Sequence, residues 1–410
     1  MSGLLTPPHS TVVRALWLDA LHRGHARMGA QLGLPPSVTD PAANPAPRAL
    51  AYAWQRRFHG PTRKALRRAA QAFDDQPWRD ELRRWEESLR PDLVMHGLRL
   101  AGTAPTQLSD RELAGFIGHC LDYIAQAVET AAALGLAGGV VRADFARACA
   151  RWAGAATVDI TPMLPGEGTL RAGARHELAA VREALAATTP LPLPAQGSAD
   201  EALLDLADRR DALGRAVRAY LDRIRLRVTL PLELTSPTAW EQPQPILAVL
   251  EDIAGNLGRA AVASGASAAI AAMRERVPAR QRDDFEHRVA QARAVQRLIE
   301  EPVHMVVAWG LGVTRQALLH AGDRLVRHGR LDAAERIFEA LPEEVTALLS
   351  GTGPDSATLN ERGNRIEAEP EPAVRAMPLH WLPAPARRVA DAAGDYLAAT
   401  GTQPRAGQYT

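Results

Sequence analysis

The stretch RQALLHAGDRLVRHGRLDAAERIFEALPEEVTALLSG, residues 315–351, decides the fold. Its first half repeats small or apolar residues every three or four positions, namely Leu318, Ala321, Gly322, Leu325 and Val326. This spacing predicts an amphipathic helix with one buried face. Gly329 can adopt the left-handed conformation that ends such a helix, and the cations just before it suit the carbonyl end.

The second half of the stretch predicts two further short helices. Asp332 and Glu335 are three residues apart, which is the spacing of a capping box at a helix start. The helix that they open is expected to bury Ala334, Ile337 and Phe338. Pro342 suits the first turn of another helix, which is expected to end near Gly351.

Composition extends this helical pattern to the whole chain. Alanine and arginine are abundant among the 410 residues, and aromatic residues make up only 5%. These proportions favour an all-α, multi-helix fold with little or no β-structure. The Pro-rich stretch at 188–200 resembles a linker, so we predict helical subdomains at 1–187 and 201–400 and a disordered tail at 401–410.

Charge and cysteine content limit the classes of function. The formal net charge is +1, so no overall field attracts nucleic acid or an anionic membrane. Cys120 and Cys149 have no partner at metal-ligand spacing, and we expect both to be small core residues. No signal peptide is recognisable, and no apolar run approaches the roughly 18 residues that a membrane span needs. We therefore expect a cytoplasmic protein.

A second capping box, Ser109 with Glu112, predicts a helix that runs to about Leu134. His119 lies beside its apolar face and is either a buried, hydrogen-bonded residue or a substrate-binding one. Farther on, the polar segment 352–372 is expected to be a mobile loop, and residues 383–400 to form the last helix.

The strongest candidate site residues flank Pro302. Glu301 and His304 come just before an apolar helix that contains Trp309 and Arg315. Glu301, His304 and Arg315 could form a buried group that orients a ligand or a general base. They could equally form a polar clasp between helices, and the sequence leaves both interpretations open.

Several of these residues carry a resemblance to a known family. The pattern Gly322-x-x-Leu-Val-x-x-Gly-x-Leu-Asp, followed by Glu335-x-Ile-Phe-x-x-Leu-x-x-Glu, resembles the central region of phosphoenolpyruvate-utilising synthases. The likeness is greatest to rifampicin phosphotransferases, whose members also carry a glutamate and a histidine before an arginine, here Glu301, His304 and Arg315. A further run matches the family in order, with one extra residue before its tryptophan: Arg227, Glu233, Leu234, Thr235, Ser236, Pro237, Trp240 and Glu241. The family's glycine and histidine ahead of this run are replaced by Arg225 and Leu226.

The resemblance implies a helical domain that binds a large apolar antibiotic. It therefore implies substrate-binding roles for Arg227, Glu233 and Trp240. The family's ATP-grasp and phosphohistidine domains have no counterpart in this sequence. We therefore expect no cofactor and no metal ion, and no self-contained phosphotransfer.

Three functions remain open from the sequence, and it does not decide whether the protein is an enzyme. In the first, the chain is the substrate component of a split phosphotransferase, with separate ATP-grasp and phosphohistidine proteins as partners. Alternatively, it is a cofactor-free cyclase, lyase or isomerase, terpene-type cyclisation included, or a non-catalytic protein that sequesters an apolar molecule. In each case we expect a pocket that includes His304, Trp309 and Arg315, with 159–170 and 225–240 at its rim.

Overall fold

A computed structural model gives the fold, and it describes residues 5–34, 39, 60–154, 158–164, 166, 168, 170–187, 198–257, 265–368, 382 and 384–399. The α-helices are α1 (Thr11–Gln31), α2 (Gly60–Asp75), α3 (Pro77–Arg84), α4 (Arg90–Ala101), α5 (Asp110–Ala153), α6 (Arg175–Ala186), α7 (Ala199–Asp208), α8 (Ala212–Ile224), α9 (Gln244–Gly255), α10 (Gly265–Arg276), α11 (Arg282–Pro302), α12 (Ala308–Arg327), α13 (Pro342–Leu349), α14 (Ser356–Ala368) and α15 (Ala384–Ala399). Among the described residues, β-structure is limited to one isolated bridge between Val228 and Thr238. The all-α prediction is confirmed.

Helix α5 is the central element, and α1, α11, α12 and α15 all pack against it. The predicted capping box at its start is present, because Ser109 and Glu112 bond reciprocally. The helix has 44 residues and ends at Ala153, so the expected end near Leu134 is wrong. Residues 131–140 are buried, and many of them are alanine or glycine. Small side chains here allow neighbouring helices to pack closely against α5. This packing stabilises the segment as a continuation of α5 beyond Leu134.

Part of α5 is long and apolar enough to cross a membrane by length and composition alone, with a mean hydropathy of 1.5. The expectation that no such segment exists is therefore wrong. However, 83% of that apolar window is buried inside the protein. The core helix of a soluble protein gives the same signature, so α5 is compatible with a soluble protein.

Two hydrophobic clusters account for most of the core. The larger cluster surrounds α5 and includes side chains from α1, α12 and α15. The smaller one is formed mainly by α6, α7, α8 and α9. This small core contains residues from both sides of the predicted linker at 188–200, so the packing groups the chain differently from a division at that point. Residues 188–197 and the tail 401–410 lie outside the described residues.

Helices α11 and α12 form one continuous helical rod, because a π turn at Val303–Val307 joins them. Pro302 has no N–H to donate to the carbonyl of Leu298, and such a gap in the hydrogen-bond ladder favours a wider turn. The first π turn along the chain, Trp85–Leu89, joins α3 to α4, and the turn at Val303–Val307 is the second. The continuity of the rod fixes the spacing of the candidate residues near Pro302.

The stretch at 315–351 folds largely as its pattern predicts. Gly329 has a φ of +67° and comes directly after His328, the cap residue of α12, as expected of a left-handed helix end. Helix α13 begins at Pro342, also as expected. The predicted capping box at Asp332 is wrong. The segment Ala334–Glu339 is a 3₁₀ helix, and the Asp332 carboxylate accepts a hydrogen bond from Ser356 (3.2 Å).

The predicted loop at 352–372 is also wrong over much of its length, because α14 occupies Ser356–Ala368. Two contacts distant in sequence hold this helix. Leu359 is fully buried in the main core, and Arg362 pairs with Glu344 of α13 at 2.6 Å. The last helix, α15, matches the prediction to within one residue at each end.

Candidate ligand-binding groove and the polar residues behind it

Residues 225–241 form a tight return of the chain that packs on α12. Backbone hydrogen bonds close it, from Ala239 N to Arg227 O (2.8 Å) and from Trp240 N to Arg225 O (3.1 Å). A third bond, from Val228 N to Ala308 O (3.0 Å), fastens the return to α12. We call residues 225–241 the return segment. It separates an open groove on one side from a group of buried polar residues on the other.

The groove lies between the return segment, the carboxyl end of α8, the middle of α12 and the end of α4, and its volume is about 490 Å³. Its apolar lining consists of Ala101, Leu221, Leu226, Trp240 and Leu319. Trp240 is 37% exposed, which makes it the most exposed tryptophan among the described residues. An indole that is held at a groove surface offers area for stacking and one N–H donor.

Arg315 is fixed in the groove wall by three contacts. Its Nη1 donates to the carbonyl of Leu234 (2.8 Å). Its Nη2 donates to Glu241 Oε1 (3.1 Å), and its Nε donates to Glu241 Oε2 (3.4 Å). Glu241 Oε2 also accepts from the backbone N–H of Thr238 (2.6 Å). Burial raises the pKa of Glu241, but the hydrogen bonds from Arg315 and Thr238 outweigh that effect and leave the pKa below its ordinary value. This arrangement holds the carboxylate ionised beside Trp240.

Glu301 lies elsewhere, in a clasp between α11 and the first π turn. It accepts hydrogen bonds from Arg297 Nε (2.8 Å) and Trp85 Nε1 (2.9 Å). Arg297 also pairs with Glu86 at 2.6 Å. Burial raises the pKa of Glu301, but the bonds from Arg297 and Trp85 outweigh this effect and leave the pKa below its ordinary value. The group is therefore ionised near neutral pH.

His304 is buried behind the return segment, close to Arg227. Burial, together with the smaller effect of the nearby charge of Arg227, lowers the pKa of His304 to about 4. Arg227 is itself buried, which lowers its pKa to about 10, and its Nη1 donates to the carbonyl of Ala172 (2.8 Å). At neutral pH this centre therefore holds a neutral imidazole beside a guanidinium.

The described residues of 158–174, which include part of the predicted loop at 159–170, pack against this buried centre. Gly173 lies directly against Met305 of the second π turn, and Gly166 lies against Glu300. Residues 155–157, 165, 167 and 169 are outside the described residues. The described part of this segment packs onto the π turn and does not line the groove.

The continuous rod separates the three residues that were considered as one group. An α-helix rises about 1.5 Å per residue, so Glu301 and Arg315 are roughly 20 Å apart along it, and His304 and Arg315 about 16 Å. The three side chains are therefore too far apart to contact one small ligand group at the same time. Glu301 instead matches the alternative interpretation, a clasp between helices.

The remaining candidates are spread over the molecule. Trp309 is buried in the main core, and its Nε1 has no hydrogen-bond partner among the described residues. Glu233 Oε1 accepts from the backbone N–H of His9 (2.8 Å) at the start of α1, and burial raises its pKa. His119 is exposed on α5. Its expected burial is therefore wrong, since it faces solvent between the buried Phe116 and Cys120.

Sequence reasoning missed several groove residues, among them Arg218, Leu221 and Leu319. Their positions depend on how α8 and α12 meet, which no local pattern indicates. One missed signal is local: Thr238 and Glu241 have the spacing of a capping box. Among the described residues, no group of three or more His, Cys, Asp or Glu side chains is arranged to hold a metal ion.

Neither a scan against protein-family models nor a search of curated proteins gives a match to this sequence. The resemblance to phosphoenolpyruvate-utilising synthases stays a hypothesis that rests on the quoted residues. The groove has to be interpreted from its own chemistry.

Proposed function

We propose that the protein binds an apolar, natural-product-like small molecule in the groove beside the return segment. The observation that carries the proposal is Trp240, an indole that is 37% exposed in a groove of about 490 Å³. Ligand pockets are typically about 300–1,000 Å³, mostly apolar, with a few fixed polar groups. Arg315 and Glu241 supply such fixed groups at the edge of the indole.

The resemblance to rifampicin phosphotransferases supports the same proposal, because it also assigns Trp240 and its neighbours to substrate binding. On that basis the chain is the substrate component of a split phosphotransferase in the cytoplasm. Separate ATP-grasp and phosphohistidine proteins would then supply the phosphoryl group. Without them the groove binds and releases its ligand unchanged.

Cofactor-free catalysis has weaker support than binding. The described residues that line the groove include no histidine, and both of their carboxylates pair with arginines, Asp222 with Arg225 and Glu241 with Arg315. His304 is neutral but lies behind the return segment. A general base must come within hydrogen-bond reach of the proton that it removes, and His304 is not among the groove residues.

A fluorescent apolar probe tests the proposal without knowledge of the natural ligand. N-phenyl-1-naphthylamine, which is uncharged, should brighten on titration with the protein. The Trp240→Ala variant should bind the probe at least about tenfold more weakly, since loss of a buried aromatic contact is worth about 1.5 kcal/mol or more.

Leu230→Ala is the matched control, because Leu230 is also exposed on the return segment but does not line the groove. It should leave the affinity unchanged. Equal affinity of the Trp240→Ala and wild-type proteins would contradict the proposal.

A further inference from the structure

Two of the three arginines in the groove are paired with carboxylates. Arg315 is held by Glu241 at 3.1 Å, and Arg225 lies 3.8 Å from Asp222. Their charges therefore cancel in pairs within the groove wall. A ligand anion would have to compete with a carboxylate that is already in place.

The third arginine, Arg218, is directed at the end of α7. Its guanidinium donates to the carbonyl oxygens of Ala207 and Arg209, the latter at 3.2 Å. Carbonyl groups at a helix carboxyl end carry a partial negative charge that a cation offsets. Part of the charge of Arg218 is accordingly offset by the carboxyl end of α7.

Two other helices end at the groove, and their polarity also disfavours an anion. The last turn of α8 contributes Leu221 and Asp222 to the lining, and the last residue of α4, Ala101, contributes another part. Helix carboxyl ends repel anions by a modest amount. Because two of the arginines are paired with carboxylates and these helix ends carry partial negative charge, the net charge of the groove is close to zero.

An apolar stripe continues from the groove along α4. Leu98 lies one turn before Ala101, and Met95 lies one turn before Leu98, so the three share one side of the helix. Leu98 is 40% exposed and Met95 is 56% exposed. Exposed apolar side chains that adjoin a binding groove extend the area that a ligand can cover.

We infer that the ligand is an uncharged, elongated molecule, such as a long-chain alcohol, ester or lactone. Its apolar body stacks on Trp240 and continues along α4 over Leu98, and its polar end lies near Arg315. The inference rests on the proposed function, because it assigns ligand chemistry to the same groove.

A matched pair of probes tests the charge. N-phenyl-1-naphthylamine and its 8-sulfonate differ by a single anionic group. The neutral probe should bind at least about tenfold more tightly than the sulfonate, and Trp240→Ala should weaken the binding of the neutral probe. Equal or tighter binding of the sulfonate, with Trp240→Ala still weakening it, would overturn the charge inference and leave the proposed function intact. Binding of both probes that is insensitive to Trp240→Ala would contradict the proposed function itself.

A series of alcohols tests the length. From 1-hexanol to 1-decanol, displacement of the neutral probe should improve about two- to fourfold for each added methylene that the stripe buries. Leu98→Gln should flatten this increase for the longer alcohols. Leu204→Gln is the matched control, because Leu204 is a similarly exposed leucine on α7 (46%) that does not line the groove, and it should leave the series unchanged.

The same gain per methylene in wild-type protein and Leu98→Gln would overturn the elongated ligand. A change in oligomeric state of Leu98→Gln in sedimentation, with the alcohol series unaltered, would overturn it as well, because the stripe would then contact a protein. Neither result alters the test of Trp240.

Discussion

At the scale of single residues, His304 couples folding to pH. Burial lowers its pKa in the folded protein to about 4, whereas an unfolded histidine has a pKa of about 6.5. The unfolded state therefore binds a proton more readily between these two values. Acidification from pH 6.5 towards 4 favours unfolding, and the contribution of His304 to stability is complete only above pH 6.5. His25, whose pKa burial lowers to about 3, acts in the same direction.

We expect His304→Gln to reduce the pH dependence of stability. Between pH 7 and pH 5 the wild-type protein should lose about 2 kcal/mol more unfolding free energy than the variant, since one pKa unit is about 1.4 kcal/mol. Urea unfolding at both pH values measures the difference. His119→Gln, at an exposed position of α5, is the control and should behave like the wild type. Identical losses in His304→Gln and wild type would show that His304 does not titrate as its burial requires.

Glu301 provides a second residue-scale expectation, because its contacts indicate a structural clasp. Glu301→Gln should lower the unfolding free energy by about 1–3 kcal/mol at pH 7, since it leaves Arg297 without its buried counter-charge. The pKa of Glu301 lies below its ordinary value, so this loss should shrink as the pH falls through that pKa. Affinity for N-phenyl-1-naphthylamine should not change.

The exposed neighbour Glu87 offers a control, and Glu87→Gln should alter neither property. If Glu301→Gln kept its stability but lost probe affinity, Glu301 would belong to the binding site and the separation along the helical rod would have to be reconsidered.

At the scale of elements, α5 depends on glycines at its crowded face. A Cβ atom at Gly139 would overlap the ring of Tyr396 from α15, whereas nothing lies within 4 Å of a Cβ at Gly118 on the same helix. Gly139→Ala should therefore cost about 1–3 kcal/mol by overpacking. Gly118→Ala should stabilise the protein by up to about 1 kcal/mol, because alanine favours a helix over glycine.

Calorimetric melting temperatures of the two variants give the comparison, with opposite shifts of a few degrees expected. Equal shifts in one direction would mean that α15 does not pack on α5 as described.

Elements were predictable from sequence where their signals are local. Ser109 with Glu112 and Gly329 each act through neighbours within a few residues, and the helix boundaries that they mark are confirmed. The end of α5 was not predictable, because whether a Gly- and Ala-rich segment bends or packs depends on the helices beside it. Helix α14 was missed for a related reason: its stabilising contacts, Leu359 in the main core and Arg362 on Glu344, come from distant parts of the chain.

At the scale of the whole molecule, Asp144 connects three helices. This buried carboxylate of α5 accepts hydrogen bonds from Arg288 of α11 and from Arg388 of α15, the latter at 2.6 and 2.7 Å. Asp144→Asn should cost about 3 kcal/mol, because it removes the buried carboxylate that Arg288 and Arg388 share and leaves Arg288 only its half-exposed partner Asp284 (2.9 Å). The loss should be greatest for α15, so amide exchange in residues 384–399 should accelerate.

Asp19→Asn, which removes an exposed partner of Arg23, is the control and should change stability by less than about 1 kcal/mol. Unaltered exchange in α15 of the Asp144→Asn protein would show that Asp144 does not hold that helix.

The site shows where prediction from sequence reaches its limit. Trp240 and Arg315 meet in the groove because the return segment is short and folds back on α12, and both were among the predicted residues. The sequence also groups Glu301 and His304 with Arg315. Pro302 suggested a helix boundary there, but the π turn preserves the rod and keeps them apart. The other groove residues come from α4 and α8, whose placement is a tertiary property.

Amide hydrogen exchange with and without saturating N-phenyl-1-naphthylamine tests the central claim most directly. We expect the probe to protect amides in residues 218–226, 238–241 and 315–319, and to leave residues 300–309 as they are in the free protein. Protection confined to residues 300–309 would place the ligand at the buried His304 centre, and it would contradict the groove as the binding site.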